Sequence, residues 1–554
     1  MTLEIGDIVE LRIEDLSDDG QGIGKINGLA IFIMGTTAGD FVTAKIVKKK
    51  KNYLIGELIE IIFPSRHRIH SCCKYFNICG GCTMDNISYE KELEIKENQV
   101  ANKLQRIGNF ADLAISEIIK SDSVERYRNK ATFGVSVENG QPKVGFFARG
   151  TNEIVECEDC KIQKKPAMKV ANIIRELVKK NIITVYDKKT KKGFLREIKT
   201  RVCEGTNEIM VILTGAYENL KNSEYIVKSL DETISDNLYS LESVILEEKK
   251  KSIYEAPSKV KVLAGKRTVC DEVSINGKKL RFEIGPEAFY QVNTEAMVKL
   301  YEAAINSFKF QGDEIILDLY SGIGTIGLSL AEQVGKVVGI EVVPEAVLNA
   351  NRNSVINGIV NSIYCKGKVE DILPKALDEL SAQGKRIVAI LDPPRKGLDG
   401  EIVKVINENG INDVIYISCN PATLARDLKA FAACGFGVEG VVPVDMFPRT
   451  SNVETIALLS KLKTNHYLDI EIGEDELSEI DFSKEATYGE IKKYVLDKYG
   501  LKVSSLYIAQ IKRKHGLIER ENYNFSKKEN QRVPNCPEEK EKAIEDALEH
   551  FGMI

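Results

Sequence analysis

A chain of 554 residues, 43% of them apolar and with a formal net charge of −5, is sized for about three or four domains with cores of their own; it is neither a disordered tract nor a polycation that would coat nucleic acid indiscriminately. No run of about 18 apolar residues occurs, and the opening MTLEIGDIVELRIEDLSDDG has neither a basic leader nor an apolar signal core, so a cytoplasmic protein without a membrane span is expected. In that compartment twelve cysteines point to metal binding or catalysis rather than to a disulfide framework.

Residues 1–62 hold short alternating segments, VELRI, LAIFIM, DFVTAKIV and YLIGELI, separated by the glycine-bearing turns DDGQGIGK and MGTTAGD; this spacing predicts a small antiparallel, OB-like β-barrel. A barrel of this kind with lysines at 48–51 suits an oligonucleotide, although a solvated charged face reads the same way. Residues 63–285 carry a cysteine cluster, a helical stretch near 88–107 and the β-rich segments KATFGVSV, KVGFFAR and EIMVILTG. In residues 286–461 strands alternate with helices, which predicts a mostly parallel, doubly wound sheet. Residues 462–554 begin with an acidic linker, DIEIGEDELSEID. Thr487 and Glu490 then form a capping box opening the helix EIKKYVLDKYG, and SSLYIAQIKRKHG makes a second helix ending in basic residues. Such a pair fits a nucleic-acid-reading module or a packing appendage equally well.

Within the central region, SCCKYFNICGGCTMD places Cys73, Cys79 and Cys82 in a C-x5-C-x2-C arrangement, and IVECEDCKIQ offers Cys157 or Cys160 as a distant fourth ligand. Three close cysteines and a distant one form a strong metal signal, and spacing alone does not choose between zinc and an iron–sulfur cluster.

Three strand ends carry the remaining chemistry. In EIILDLYSGIGTIGLSLA a buried strand ends at Asp318 to Tyr320 and a helix begins near Thr325, with Gly322, Gly324 and Gly327 matching G-x-G-x-x-G. KVVGIE ends the next strand at Glu341, where a carboxylate can bind ribose hydroxyls. A nicotinamide dinucleotide and S-adenosylmethionine both carry such a ribose, so these residues leave a nicotinamide-dependent oxidoreductase open. RIVAILDPPRKG sets Asp392 directly after a further apolar run, on a loop stiffened by two prolines. A carboxylate there accepts from uracil N3–H but repels the N3 lone pair of cytosine. YISCNPATLARD puts Cys419 just beyond another strand. Its thiolate, adding to uracil C6, would make C5 nucleophilic toward a methyl sulfonium. Glu454, in FPRTSNVETIALLS, is then available to remove the C5 proton.

The ordered motifs AFYQVN (288–293), DLYSGIGTIGL, LDPPRKG, SCNPATLARD and FPRTSNVET resemble the RNA (uracil-5-)-methyltransferases, specifically the 23S ribosomal RNA branch with an N-terminal TRAM domain and an iron–sulfur cluster; the similarity runs from residue 1 to about 461. The resemblance implies a multidomain α/β protein with a Rossmann-like, S-adenosylmethionine-dependent catalytic domain, a TRAM barrel, a β-rich iron–sulfur domain and a small helical extension. It implies Cys419 as nucleophile and Glu454 as base. Gln291, Tyr320, Gly322, Gly324, Glu341 and Asp392 would lie around S-adenosylmethionine, with Gln291 and Asp392 also close to a flipped uracil. It further implies a [4Fe–4S] cluster on Cys73, Cys79, Cys82 and Cys160, with Cys157 the competitor for the fourth place and Cys72 a bystander. The partner would be RNA, 23S ribosomal RNA first and transfer RNA second, with no DNA expected, and Arg128 and Lys130 in RYRNKATF would contact phosphate. One departure stands out: Asn452 occupies a position two before the base where the family commonly has a histidine, so proton relay there is in doubt. A non-catalytic RNA-binding protein on a methyltransferase fold is the remaining alternative.

Overall fold

The computed structural model describes residues 3–461, apart from 112, 139, 218–219, 237, 250–256 and 258, together with 488–515, 536–551 and 553. The chain divides into two compact units, Met1–Lys463 and Thr464–Ile554.

The first unit opens with a closed barrel of β1 (Ile8–Leu16), β2 (Gly22–Ile26), β3 (Leu29–Ile33), β4 (Phe41–Lys49) and β5 (Tyr53–Phe63), in the order β1-β2-β3-β5-β4. Alternation in IVELRIEDL turns Val9, Leu11 and Ile13 inward, where they meet Ile31, Ile33, Val42 and Leu54. Two details differ from the sequence reading. β3 and β5 pair in parallel. The second half of DDGQGIGK is strand β2 rather than turn. Glycine is required at its start because a Cβ on Gly22 would stand 2.0 Å from the Thr36 hydroxyl.

Helix α1 (Tyr89–Lys103) and a wider turn over Leu104–Gly108 lead to a seven-stranded sheet ordered β12-β11-β10-β9-β6-β7-β8. Its members are β6 (Lys130–Glu138), β7 (Gln141–Phe147), β8 (Ile154–Val155), β9 (Leu195–Val202), β10 (Glu208–Gly215), β11 (Ser240–Glu248) and β12 (Lys259–Gly265). Two helices that the sequence reading did not single out, α2 (Lys165–Lys179) and α3 (Ser223–Ile234), contribute to its core. Val170, Ala171, Ile174 and Leu177 of α2 recur at helical spacing against Ile198, Val211 and Leu213. The hairpin of β13 (Val269–Ile275) and β14 (Lys278–Ile284) turns Val269, Val273, Leu280 and Phe282 into a core shared with the sheet that follows.

That sheet contains β15 (Ile315–Leu319), β16 (Lys336–Glu341), β17 (Ser362–Lys366), β18 (Ile387–Leu391), β19 (Asp413–Ser418), β20 (Phe436–Val444) and β21 (Glu454–Lys461) in the order β17-β16-β15-β18-β19-β21-β20. β15 to β19 are parallel, and the β20–β21 hairpin closes one side antiparallel. Helices α4 (Thr294–Asn306), α5 (Thr325–Leu330), α6 (Pro344–Ile356), α7 (Val369–Ser381), α8 (Gly400–Glu408) and α9 (Pro421–Ala433) connect and cover the strands, and apolar cores lie on both sheet faces, as the predicted doubly wound fold requires. Strand order reverses between β15 and β18, which puts the ligand crevice at their carboxyl ends.

In the second unit, α10 (Tyr488–Tyr499) and α11 (Ser505–Lys514) match the two expected helices, and α12 (Glu538–His550) is a third. Ile491, Val495, Ile508, Ile511, Ile544 and Leu548 form their core. Ser504 caps α11 by accepting the Tyr507 N–H at 3.2 Å. The acidic linker, Thr487 and the Glu490 side chain lie outside the described residues.

Candidate active site

The crevice is built on backbone strain at the end of β15. Tyr320 has φ of 67°, unusual for a residue with a side chain, and Gly322 (56°) and Gly324 (83°) continue the sharp turn into α5. Across the ladder Leu319 pairs with Ile340, so Glu341 stands beside Tyr320. Both Glu341 oxygens are oriented by backbone, Oε2 accepting from Gly322 N–H at 3.0 Å and Oε1 from Val343 N–H at 2.7 Å. Each oxygen retains a lone pair for a ligand hydroxyl. The third motif glycine, Gly327, lets the helix approach the strand: its N–H donates to Asp318 Oδ2 at 3.0 Å, and a Cβ there would lie 2.7 Å from that oxygen. Asp318 itself was not singled out from the sequence. It is buried, its Oδ1 has no hydrogen-bond partner among the described residues, and burial followed by the charge of Glu341 raises its carboxyl to about 7.

The reacting groups come from the neighbouring strands. Leu391 pairs with Leu319 on one side and Tyr416 on the other, which sets Asp392 level with Tyr320 and Ile417. In the antiparallel ladder between β19 and β21 Ser418 opposes Thr455, so Cys419, one residue further on, and Glu454, one residue earlier, face each other across the sheet edge. A serine–asparagine turn fixes the thiol: Ser418 Oγ accepts the Asn420 N–H at 3.2 Å, and the Asn420 side chain caps α9 through Ala422 N–H at 3.0 Å. Gln291 is buried just before α4, its carbonyl held by Asn129 Nδ2 at 2.9 Å. Its side chain reaches the Tyr301 hydroxyl, which also meets Thr325 at 3.2 Å.

Electrostatics couples these groups. Burial first, then Glu454 and Asp392, push the Cys419 thiol up to about 11. Burial first, then Asp392, raise Glu454 to about 8, and burial with Asp318 raises Asp392 to about 7, though Asp392 keeps some surface at the mouth of the crevice. The Arg395 guanidinium, which sequence reasoning missed, opposes the rise at both Cys419 and Glu454. The arrangement therefore holds a thiol kept protonated by its surroundings, a base that ionises near neutrality and a nearby cation. Asn452 hydrogen-bonds Thr450 at 3.3 Å through both its backbone and side-chain N–H groups, and among the described residues it has no bond to Glu454.

The cysteines predicted as ligands, Cys73, Cys79, Cys82 and Cys160, line one cavity of about 370 Å³, and Cys157 is a fifth cysteine in its wall. Among the described residues, however, no group of three or more His, Cys, Asp or Glu side chains is gathered so as to hold a metal ion. Cys157 belongs to the apolar core of the central sheet, 3% exposed, whereas Cys160 is partly exposed beside it. A hydrogen bond from Cys157 lowers the Cys160 thiol to about 7 and raises that of Cys157. Arginines hold the carbonyls of this shell: Arg126 donates to Cys160 O at 2.6 Å, Arg175 to Cys157 O at 3.0 Å, and Arg149 to Cys82 O. Arg128 and Lys130 line the same cavity, and burial, then Arg201 and Lys199, lower Lys130 to about 7. No helix among the described residues is long and apolar enough to cross a membrane.

Comparison with known proteins finds matches along most of the chain. A family profile described as tRNA (Uracil-5-)-methyltransferase matches residues 88–462, and the TRAM domain profile matches residues 3–59. An uncharacterised RNA methyltransferase of Halalkalibacterium halodurans is 37% identical over 82% of this chain and 97% of its own length. One from Caldanaerobacter subterraneus is 36% identical over 83% of this chain and 99% of its own. Among solved structures, the Pyrococcus abyssi tRNA (uracil-54, C5)-methyltransferase in complex with S-adenosyl-L-homocysteine superposes with a TM-score of 0.65 at 25% identity, over 81% of this chain and all of that one.

Proposed function

Because the chain belongs to the tRNA (uracil-5-)-methyltransferase family, we propose that it transfers a methyl group to C5 of a specific uridine in RNA, 23S ribosomal RNA being the first substrate to test. The observation that carries the reading is the β19–β21 register, which opposes Cys419 and Glu454 at the edge of a crevice lined by Asp392 and Gln291.

S-adenosylmethionine, when bound, supplies an electrophilic methyl on sulfur. The residues present fit it: Glu341 offers oriented carboxylate oxygens for ribose hydroxyls, the turn at Gly322 leaves open space, and Asp318 Oδ1 lacks a partner among the described residues. Tyr320 and Gly324 shape the same turn, and Gln291 stands across from it. Asp392 accepts from uracil N3–H and so disfavours cytosine. Cys419 forms an S–C6 bond as the C5=C6 π pair moves onto O4, and C5 then takes the methyl while the sulfonium bond breaks. Glu454 removes the C5 proton, C5=C6 re-forms and Cys419 leaves as thiolate. Cys419 is partly exposed, so the proton it loses on attack leaves to solvent, and Glu454 stays free to take the proton from C5.

The barrel, with the lysines at 48–51 exposed, supplies an RNA surface, and extruding the base costs a few kcal/mol that these contacts offset. For the cysteines we propose a [4Fe–4S] cluster on Cys73, Cys79, Cys82 and Cys160. A cavity walled by all four thiols suits a polyatomic cluster held at its corners better than a single ion, and the surrounding arginines suit its negative charge. Cys157, packed into the core, is left as a hydrogen-bond donor. Transfer RNA is the second reading, favoured by the structural neighbour that acts on uracil 54 of tRNA. The test is mass spectrometry of ribosomal and transfer RNA from cells lacking the gene and from a Cys419→Ala complement. Loss of 5-methyluridine at one 23S position, not restored by the variant, is expected. Unchanged 5-methyluridine in both RNA pools would refute the assignment.

A further inference from the structure

The segment 445–453, between β20 and β21, delivers Glu454 to the crevice, yet it is held mostly by residues far from it in sequence. Arg449 sits in the left-handed region, with φ of 67°. That conformation is fixed from both ends: its N–H donates to Glu92 Oε1 at 2.7 Å, and its carbonyl accepts the N–H groups of Thr83 and Met84, each at 3.0 Å. Two residues on, the Ser451 N–H donates to Thr83 Oγ1 at 2.8 Å, so one threonine grips the segment through both its backbone and its hydroxyl. Thr83 follows Cys82 directly, which ties the cysteine loop to this segment. Its other side is pressed by the barrel, because a Cβ on Gly20 would stand 2.5 Å from Thr83 Cβ, and Asp18 O accepts from the Ser451 hydroxyl.

Resting on the methyltransferase reading above, we propose that Thr83 is a positioning residue for the proton-abstraction half of the reaction: it holds residues 449–451 so that Glu454, three residues further on, meets C5. Cys419 is placed independently, on β19 and by the Ser418–Asn420 turn, and does not depend on this grip. Thr83→Val keeps the shape and the backbone bond but removes the hydroxyl, leaving the Ser451 N–H without its acceptor. Adduct formation and methyl transfer use Cys419, whereas release uses Glu454, so the substitution separates the two halves of the cycle.

The experiment follows single turnovers of the full-length enzyme with S-adenosylmethionine and pooled ribosomal and transfer RNA from cells lacking the gene. Covalent enzyme–RNA adduct is read on denaturing gels, and released 5-methyluridine by mass spectrometry. Thr83→Val is expected to form adduct within about twofold of the parent rate and to resolve it at least about tenfold more slowly, since a small misplacement of a base costs one to two orders of magnitude; Thr83→Ser, which keeps the oxygen, should resolve it within about twofold of the parent. Release by Thr83→Val at the parental rate would overturn the proposal. So would adduct formation and release falling together, which marks a merely structural role. A parent enzyme that produces neither adduct nor 5-methyluridine would overturn the methyltransferase reading and this inference with it.

Discussion

Replacing Glu454 by glutamine should make Cys419 easier to alkylate, and only above the pH at which Glu454 ionises. Burial is the largest reason the thiol rises from 9.0 to about 11, and the charge of Glu454 is the next. At pH 9 a thiol at about 11 is roughly 1% thiolate, against about half for one at 9.0. Glutamine removes the second contribution and leaves the first, so it recovers only part of that deficit; a gain of about three- to tenfold at pH 9 is expected, trimmed because a less basic thiolate is a poorer nucleophile. The sign reverses nowhere, but the effect must fade in acid. Glu454 titrates at about 8, so at pH 6.5 it is mostly neutral and glutamine reproduces it. Brief iodoacetamide labelling from pH 6.5 to 9.5, followed by quantification of the Cys419 peptide, measures the ratio between parent and Glu454→Gln without any RNA. A ratio independent of pH, or slower labelling of the variant at pH 9, would refute the opposed geometry of these two groups.

Asp392, raised from 3.8 to about 7, binds a proton in the folded state that the unfolded chain has already released, so its contribution to stability declines as pH rises from about 4 to 7. Asp392→Asn should therefore raise the melting temperature by a few degrees at pH 8 and little at pH 4, while methyl transfer falls; an equal shift at both values would contradict the burial argument. Lys96 is fully buried between Glu92 Oε1 at 2.7 Å and Asp445 Oδ1 at 2.6 Å. Lys96→Met takes the ammonium from both carboxylates, leaving Glu92 with the more distant Arg449 guanidinium at 3.9 Å, and should cost about 3–5 kcal/mol at pH 8, read as the urea midpoint, with a smaller loss at pH 5.5, where Glu92, raised to about 7 mainly by burial, is protonated. Cys79→Ala should lose iron and visible absorbance from anaerobically purified protein, whereas Cys157→Ala should keep both; equal iron in all variants would remove the cluster from this cavity.

The strand ends were legible because each reacting residue directly follows or opens an apolar run: Asp392 ends ILD, Cys419 ends IYISC and Glu454 begins ETIALLS. Chemistry therefore rode on the strongest pattern in the chain. Asp318 was read only as part of a strand end, because its role depends on an oxygen with no partner among the described residues, which only packing reveals. Helices α2 and α3 were hidden between conspicuous strands, although the spacing of Val170, Ile174 and Leu177 was available. Strand β2 was masked by its glycines, which turn out to serve close approach rather than a turn. Arg395 and Thr83 carried no sequence signal: one acts through space and the other through a contact 368 residues away.

The Lys96–Asp445 pair also bears on how the chain comes to be assembled. Its partners are 349 positions apart, so when Lys96 leaves the ribosome only Glu92, one turn away on the same helix, can neutralise it. Asp445, at the end of β20, can join that pair only once the last strands of the sheet are in place. Contacts of such high sequence separation slow folding. A fragment beginning at residue 286 would lack Tyr89 and Lys96, which meet Asp445, and would uncover the faces of α9 and β20 on which α1 packs, so the nucleotide-binding-like sheet is not an excisable module. Its last two strands are finished by residues synthesised near the start of the chain.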